Sequence, residues 1–165
     1  MEGLVDSVQH RLAQLADAAS ITAVINSAFR RAESFLIDRD RIDRASIEEL
    51  LKKGHFLIAE EKNQIMGCVY VESRGERAYL GLLSVEPSHQ KSGLGSKLME
   101  AAEDFCAKSG ARFMDLRIVS VRRELPGFYQ RRGYVETGTA PFTPGLNPKV
   151  ACHFVEMSKP LTTKP

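Results

Sequence analysis

Apolar residues in the N-terminal third of the chain recur with a helical period. Between residues 21 and 28 they follow the i, i+3, i+4, i+7 spacing of one helix face, and Asp17 precedes them as a candidate N-cap. A second, short helix is predicted after a charged stretch over 30–44. Ser46 and Glu49 have the spacing of a capping box, and Gly54 is a typical residue for the end of that helix.

The middle of the chain changes to an extended pattern. Three β-rich runs over 56–60, 65–72 and Arg77–Val85 are separated only by short polar turns, which is typical of an antiparallel meander. The run over 65–72 has apolar residues at both odd and even positions. We therefore expect this strand to lie inside the sheet with both faces covered.

The pattern becomes helical again at Gly93 and stays so up to Gly110, where a glycine ends the predicted helix. The next run, Phe113–Val119, alternates apolar and charged residues as a strand does. A strand, a long helix and another strand form a crossover, which implies a parallel pair of strands.

The last third contains a short helix closing at 128–133, an extended run over 134–137, a proline-rich loop and a final strand over 151–157. Pro126 is expected to interrupt the start of the short helix. The predicted fold class is α/β (α+β), with a mixed, mainly antiparallel sheet, a parallel pair in the middle and helices on both faces. Residues 158–165 are expected to form a frayed tail.

Composition restricts the function classes. The 165 residues, 43% hydrophobic and 27% charged, predict one globular domain over 1–165. A net charge of +2 argues against nucleic-acid binding. The sequence lacks a membrane-spanning apolar run and a signal peptide, so we expect a cytoplasmic protein that is not bound to a membrane. Three scattered cysteines and four distant histidines argue against disulfides and a metal site.

The segment over 79–97 suits an anion. A strand, a glycine-containing loop and a helix start direct free backbone N–H groups and the positive end of the helix dipole at one point. Gly93 and Gly95 allow a ligand to approach the main chain closely. Leu98 excludes the dinucleotide-binding fingerprint, and Ser96 excludes a P-loop. The alternative interpretation is an ordinary turn before a helix.

Two motifs carry a resemblance to a known family. The segment QKSGLG over 90–95 resembles the Q/R-x-x-G-x-G/A pyrophosphate loop of the GNAT superfamily of acyl-CoA-dependent N-acyltransferases, and FYQRRGY over 128–134 resembles its second motif. The resemblance covers about residues 56–161. It implies that a β-bulge separates the strand ending at Val85 from Phe113–Val119, and that acetyl-CoA (coenzyme A carrying the acetyl group) lies in the gap.

The resemblance also assigns site residues. Those expected to bind the cofactor are Leu83, Ser84, Val85, Gln90, Lys91, Ser92, Gly93, Leu94, Gly95, Ser96 and Lys97. Tyr129 matches the tyrosine that protonates the departing thiolate, although it also fits an amphipathic core residue. Arg122 stands where many members carry Asn, and Tyr79 where some carry a glutamate base. Five arginines between 117 and 132 fit either a phosphate site or a solvated helix face.

The acceptor end is the least determined part. Phe29, Phe35, Arg117 and Glu124 are the candidate substrate-binding residues, with the phenylalanines equally suited to the core. Candidate bases are Glu33, Glu86, His89, Glu124 and His153, or a water relay. The resemblance implies an N-acetyltransferase that transfers acetyl to a primary amine of a small molecule or peptide by direct attack. The alternatives are a CoA-binding sensor that has lost turnover and, less favoured, a nucleic-acid or anion binder. A homodimer is a further expectation from the resemblance.

Overall fold

A computed structural model describes residues 8–37, 40–90 and 92–162. The helices are α1 (Ala18–Glu33), α2 (Arg44–Lys53), α3 (Leu94–Lys108) and α4 (Leu125–Gln130). The strands are β1 (Gln9–Leu12), β2 (His55–Glu61), β3 (Gln64–Arg74), β4 (Arg77–Val85), β5 (Phe113–Val119), β6 (Val135–Pro141) and β7 (His153–Pro160).

The seven strands form one sheet in the order β1-β2-β3-β4-β5-β7-β6. All neighbouring strands are antiparallel except β4 and β5, which are parallel and joined through α3. This confirms the mixed sheet, the meander over β2 to β4 and the parallel pair in the middle.

Each face of the sheet carries a hydrophobic core. On one face α1 and α2 pack on side chains such as Phe56, Cys68 and Tyr70. On the other face α3 and α4 pack on Val69 and Val71 of the same strand. The apolar pattern of β3 on both sides is therefore explained by helices on both sheet faces, as expected.

One helix start differs from the sequence prediction, and another lacks the side-chain capping contact that was expected. Helix α2 begins earlier, because the carboxylate of Asp43, and not the hydroxyl of Ser46, is the cap: Asp43 Oδ1 accepts from the Ser46 N–H at 2.8 Å. Gly54 ends α2 as predicted. Asp17 occupies the N-cap position of α1, but its carboxylate instead accepts from Arg11 and the Gln14 N–H.

Other boundaries also need correction. Pro126 does not interrupt α4 but lies in its first turn. Backbone N–H groups of the first turn have no carbonyl partner within the helix, so proline loses no hydrogen bond there. Ser158 to Pro160 continue β7, paired with β5, so the tail begins later than residue 158. The short edge strand β1 was not predicted, because a half-polar strand of four residues has little periodicity.

The central parallel pair is short. β4 and β5 pair only from Arg77↔Phe113 to Tyr79↔Asp115, and beyond this point the two strands separate. β5 continues alongside β7 up to Val119↔Phe154. The second half of β4 is consequently left with a neighbour on one side only.

Candidate functional site

A cleft of about 760 Å³ opens where β4 and β5 separate. Its walls come from the end of β4, the start of α3, α4, the C-terminal half of α1 and the loop between β6 and β7. Distant parts of the chain therefore meet around the free side of β4, and most of the candidate residues lie here.

A bulge in β4 forms the floor of the cleft. Tyr70 pairs with Gly81 and Cys68 with Ser84, so that Leu82 and Leu83 together oppose the single residue between them on β3. Leu82 has φ +55°, a strained conformation for a side-chain-bearing residue. The bulge that the resemblance implies is therefore present.

The bulge is followed by free backbone groups. Glu86 donates its N–H to the Met66 carbonyl on β3 at 2.8 Å. Because successive strand residues direct their N–H and C=O to opposite sides, Leu83 and Val85 turn theirs toward the gap beside β5. Gln90 reaches this edge, donating Nε2–H to the Val85 carbonyl at 3.3 Å.

The glycine loop opens α3 at one end of the cleft. Gly93 is the N-cap with φ +81°, which favours glycine, and a Cβ there would meet nothing within 4 Å. A Cβ on Gly95 would meet only Val85 Cγ2, at 3.8 Å. The space next to Gly93 and Gly95, beside the N–H groups of the first turn, is therefore not filled by protein atoms, as an anion site requires.

The structure divides the predicted loop residues into two groups. Gln90, Gly93, Leu94, Gly95 and Ser96 line the cleft together with the predicted residues of β4, Leu83, Ser84 and Val85. Ser92 and Lys97 are exposed and do not belong to its lining. Lys91 lies outside the described residues.

Arg132 brings positive charge to this end of the cleft. Its guanidinium donates to Ser96 Oγ in the first turn of α3 and, at 2.6 Å, to the Phe128 carbonyl, while its carbon lies 3.7 Å from the Phe128 ring centroid. These contacts hold a cation beside the glycine loop. Of the two interpretations of the arginine-rich segment, the structure favours an anion site for Arg132.

Tyr129 lies in the cleft wall and is 8% exposed. Its ring makes edge contacts with Phe128 and Tyr134, and its hydroxyl has no hydrogen-bond partner within the described residues. Burial raises the pKa of Tyr129 to about 12, against the opposing charges of Arg122 and Arg132. The hydroxyl therefore holds its proton at neutral pH and is free to donate it to a ligand.

Arg122 and Glu33 form an ion pair in the same cleft. Arg122 Nη1 lies 3.1 Å from Glu33 Oε2, with side-chain exposures of 17% and 7%. Arg122 Nη2 also contacts Glu124, at 3.3 Å, and its buried Nε–H has no hydrogen-bond partner among the residues that the structure describes. The residue standing where many relatives carry Asn thus connects α1 to the loop before α4.

The far end of the cleft is aromatic. Phe29 and Arg117 line it as predicted, with Phe142 and Phe154, whose ring centroids are 5.2 Å apart. Phe35 is 49% exposed and does not line the cleft. Glu124 also lies outside the lining and contacts solvent and Arg122. The structure therefore does not bring Phe35 and Glu124 into the cleft wall with Phe29 and Arg117.

Sequence reasoning missed a polar group on β3. Glu72 lines the cleft and accepts from the Tyr70 hydroxyl at 2.7 Å and from Arg74 Nε at 2.8 Å. The hydrogen bonds from Arg74 and Tyr70 lower the pKa of Glu72. Tyr70 and Glu72 alternate onto one strand face, a pattern visible in the sequence, but only the splayed sheet shows that this face borders a cleft.

The candidate bases also divide into residues that line the cleft and residues that do not. Glu33 and His89 line the cleft, and Glu86, Glu124 and His153 do not. Glu33 is held by Arg122, and His89 Nδ1 lies 3.0 Å from Ser88 Oγ. Within the described residues, no group of histidine, cysteine and carboxylate side chains is arranged to hold a metal ion, and no helix is long and apolar enough to cross a membrane.

The splayed mixed sheet with a phosphate-type loop at the start of α3 defines the acyltransferase class that the motifs indicated. The family model "Acetyltransferase (GNAT) domain" matches residues 52–136, just over half of the chain, and the protein belongs to this family. Individual proteins also resemble the chain in sequence or in structure.

One relative is a Bacillus subtilis (strain 168) protein named "Uncharacterized N-acetyltransferase YhfO". It is 29% identical, over 76% of this chain and 89% of that protein. Solved structures share the fold: the ribosomal-protein-S18-alanine N-acetyltransferase from Escherichia coli has a TM-score of 0.75, 14% identity and 96% coverage of both chains. The structure of yncA from Salmonella typhimurium, with its cofactor acetyl-CoA, has a TM-score of 0.73, 23% identity and 96% coverage of both chains.

Proposed function

We propose that the protein is an N-acetyltransferase that moves the acetyl group of acetyl-CoA to a primary amine by direct attack. The observation that carries the proposal is the continuity of one cleft. It joins the open space at Gly95, the free edge of β4 at Leu83 and Val85, and the protonated hydroxyl of Tyr129.

The cleft fits the parts of acetyl-CoA in order. The first turn of α3, with Arg132 beside it, suits the pyrophosphate, because free N–H groups, the helix dipole and a cation act together. The backbone groups of Leu83 and Val85 that face the gap suit the amides of the pantetheine arm, which would replace a missing strand neighbour and the exposed Gln90 contact at the Val85 carbonyl. The Salmonella typhimurium yncA structure, which shares the fold and contains its cofactor acetyl-CoA, supports acetyl-CoA as the ligand.

Tyr129 is the residue we assign to the chemistry. Acetyl-CoA supplies the acetyl group as an activated thioester. When the amine attacks, a C–N bond forms, the C–S bond breaks, and the departing sulfur takes a proton from the Tyr129 hydroxyl. The amine's surplus proton leaves to solvent, and solvent returns one proton to the Tyr129 oxygen, which restores the hydroxyl. Burial suits this role, since it keeps the hydroxyl protonated between turnovers.

Two measurements test the proposal. Acetyl-CoA should raise the melting temperature, because a ligand of the native state stabilises it by mass action. Thiol release should then follow the addition of amines from a mixed panel. Absence of a melting shift at millimolar acetyl-CoA would contradict the proposal.

One observation favours a second candidate, a CoA-binding sensor of the same fold. Both carboxylates in the cleft lining, Glu33 and Glu72, are held in ion pairs with arginines, which disfavours taking up a proton from the amine. A sensor would show the melting shift with acetyl-CoA and also with CoA, but no thiol release above hydrolysis with any amine. An enzyme that uses water as the proton acceptor would instead release thiol at a rate that depends on the added amine.

A further inference from the structure

One arginine of the cleft lining contacts an aromatic ring of the same lining. Arg41 lines the cleft, with its guanidinium carbon 5.4 Å from the centroid of the Phe29 ring. Within the described residues it has no carboxylate partner. A guanidinium without a carboxylate partner has N–H donors that a ligand can accept from.

The other arginines of this region are already paired. Arg74 contacts Glu72 at 2.8 Å, Arg117 contacts Glu156 at 3.4 Å, and Arg122 contacts Glu33 at 3.1 Å. Each positive charge is therefore matched by a carboxylate. Arg132 lies beside the glycine loop, where it donates to Ser96 Oγ and to the Phe128 carbonyl. Within the described residues, Arg41 is the other arginine of the cleft lining that contacts no carboxylate.

The backbone at Arg41 is held in place by a buried amide. Asn26 is 8% exposed, and its Oδ1 accepts from the N–H groups of Arg41 and Ile42 at 2.8 and 3.0 Å. Its Nδ2 donates to the Ile42 carbonyl at 2.8 Å. Burying a polar side chain costs free energy unless such bonds are made, so this site fixes a loop residue against α1. Fixed placement is what an anion-binding arginine needs.

We propose that the acceptor is a small amine that also carries a carboxylate, and that Arg41 binds this carboxylate. The inference rests on the proposed function and names its substrate class. A guanidinium and a carboxylate form paired, charge-assisted hydrogen bonds. Phe29 contacts Arg41, and Phe142 and Phe154 line the same cleft, so we expect the acceptor to carry an apolar or aromatic group as well.

The test compares acceptors that differ only at this group. Phenylalanine and phenylalaninamide, with similar pairs from leucine and methionine, are assayed by thiol release at saturating acetyl-CoA. We expect kcat/KM to be about tenfold to a hundredfold higher for the acids, the difference expected for one charge-assisted hydrogen-bonded contact. The amino group of the amide is less basic than that of the acid, so a larger fraction of it is neutral and able to attack near neutral pH. This difference favours the amide, and a preference for the acid therefore does not arise from amine protonation.

Variants connect the preference to the residue. Arg41→Gln should abolish the preference for acids, mainly through KM, and leave the melting shift with acetyl-CoA unchanged. Arg41→Lys should retain part of the preference for acids, because lysine keeps the positive charge but lacks the planar guanidinium that can donate to both carboxylate oxygens. Arg30→Gln is the matched control, since Arg30 is also an arginine near the end of α1 but pairs with Asp40 outside the cleft lining.

Three results would overturn the inference. The first is that the amides are acetylated at the same rate as the acids, and the second is that Arg41→Gln retains the preference for acids. The third is that acetyl-CoA stabilises the protein and other amines are acetylated, but neither member of any pair is. In each case the acetyltransferase proposal survives. If acetyl-CoA neither stabilises the protein nor releases thiol, the proposed function fails, and the substrate class fails with it.

Discussion

Arg122 Nη1 lies 3.1 Å from Glu33 Oε2, although the two residues are 89 positions apart in the chain. The contact fastens the end of α1 to the loop that precedes α4, across the mouth of the gap between β4 and β5. Both sides of the cleft therefore depend on one largely buried ion pair. Removing one partner leaves the other charged and poorly solvated.

Glu33→Gln should lower the free energy of unfolding by about 1–3 kcal/mol, because the largely buried Arg122 keeps only its contact with the exposed Glu124. Glu124→Gln is the matched control: it removes the other contact of Arg122, but Glu124 is 65% exposed, and an exposed pair contributes at most about 1 kcal/mol. Urea unfolding of both variants measures the difference. Equal effects of the two substitutions would contradict the assigned importance of Glu33.

Tyr129→Phe should lower kcat by about a hundredfold or more, the contribution typical of a positioned general acid. The hydroxyl has no hydrogen-bond partner among the described residues, so stability and acetyl-CoA binding should hardly change. Tyr79→Phe removes another hydroxyl from the cleft lining and should leave kcat nearly unchanged. Steady-state rates at saturating acetyl-CoA separate the two. Full turnover by Tyr129→Phe removes the catalytic assignment.

The pH profile should show no loss of activity from Tyr129 in the accessible range. Because burial raises its pKa to about 12, the donating form is present below that pH and is lost only as the pH rises through it. The rate should rise with pH as the acceptor amine loses its proton, and then level off. A measurement of kcat between pH 6 and 10 checks this. A fall near pH 9 that disappears in Tyr129→Phe would show an ordinary or lowered pKa instead.

Gly95→Ala should weaken acetyl-CoA binding by about tenfold or more, equivalent to about 1.4 kcal/mol, without destabilising the protein. The new methyl group meets only Val85 Cγ2 within the protein, at 3.8 Å, and so fills the space that we assign to the pyrophosphate. Alanine also favours the helical conformation, by about 0.5–1 kcal/mol. The melting temperature with and without acetyl-CoA distinguishes the two effects.

The control for this substitution is Gly127→Ala in α4, outside the cleft lining. Its Cβ would lie 3.3 Å from Arg131 Nη1, the mobile end of a long side chain. We expect acetyl-CoA binding to remain as in the wild type. A Gly95→Ala protein with unchanged affinity would show that the pyrophosphate does not approach α3 at this turn.

Much of the fold could be predicted because it depends on neighbours in sequence. The strand bounds Arg77–Val85 and Phe113–Val119 were predicted to the residue, since alternating or continuous apolar runs end at polar turns. Helix caps were predicted less well. Asp43 and Ser46 are both good capping residues, and only the backbone direction before α2 selects the carboxylate of Asp43.

The candidate site divides in the same way. The amino-acid sequence alone determined the glycine loop and the F-Y segment, because each is a local arrangement that needs particular residues at fixed spacing. Only the tertiary structure decided that Arg122 meets Glu33, that Glu72 borders the cleft, and that Arg41 contacts Phe29 and no carboxylate of the described residues. These relationships join residues distant in sequence, and they exist only once the bulge at Leu82 has separated β4 from β5. Periodicity records which face of an element is buried, but not which distant charge lies opposite it.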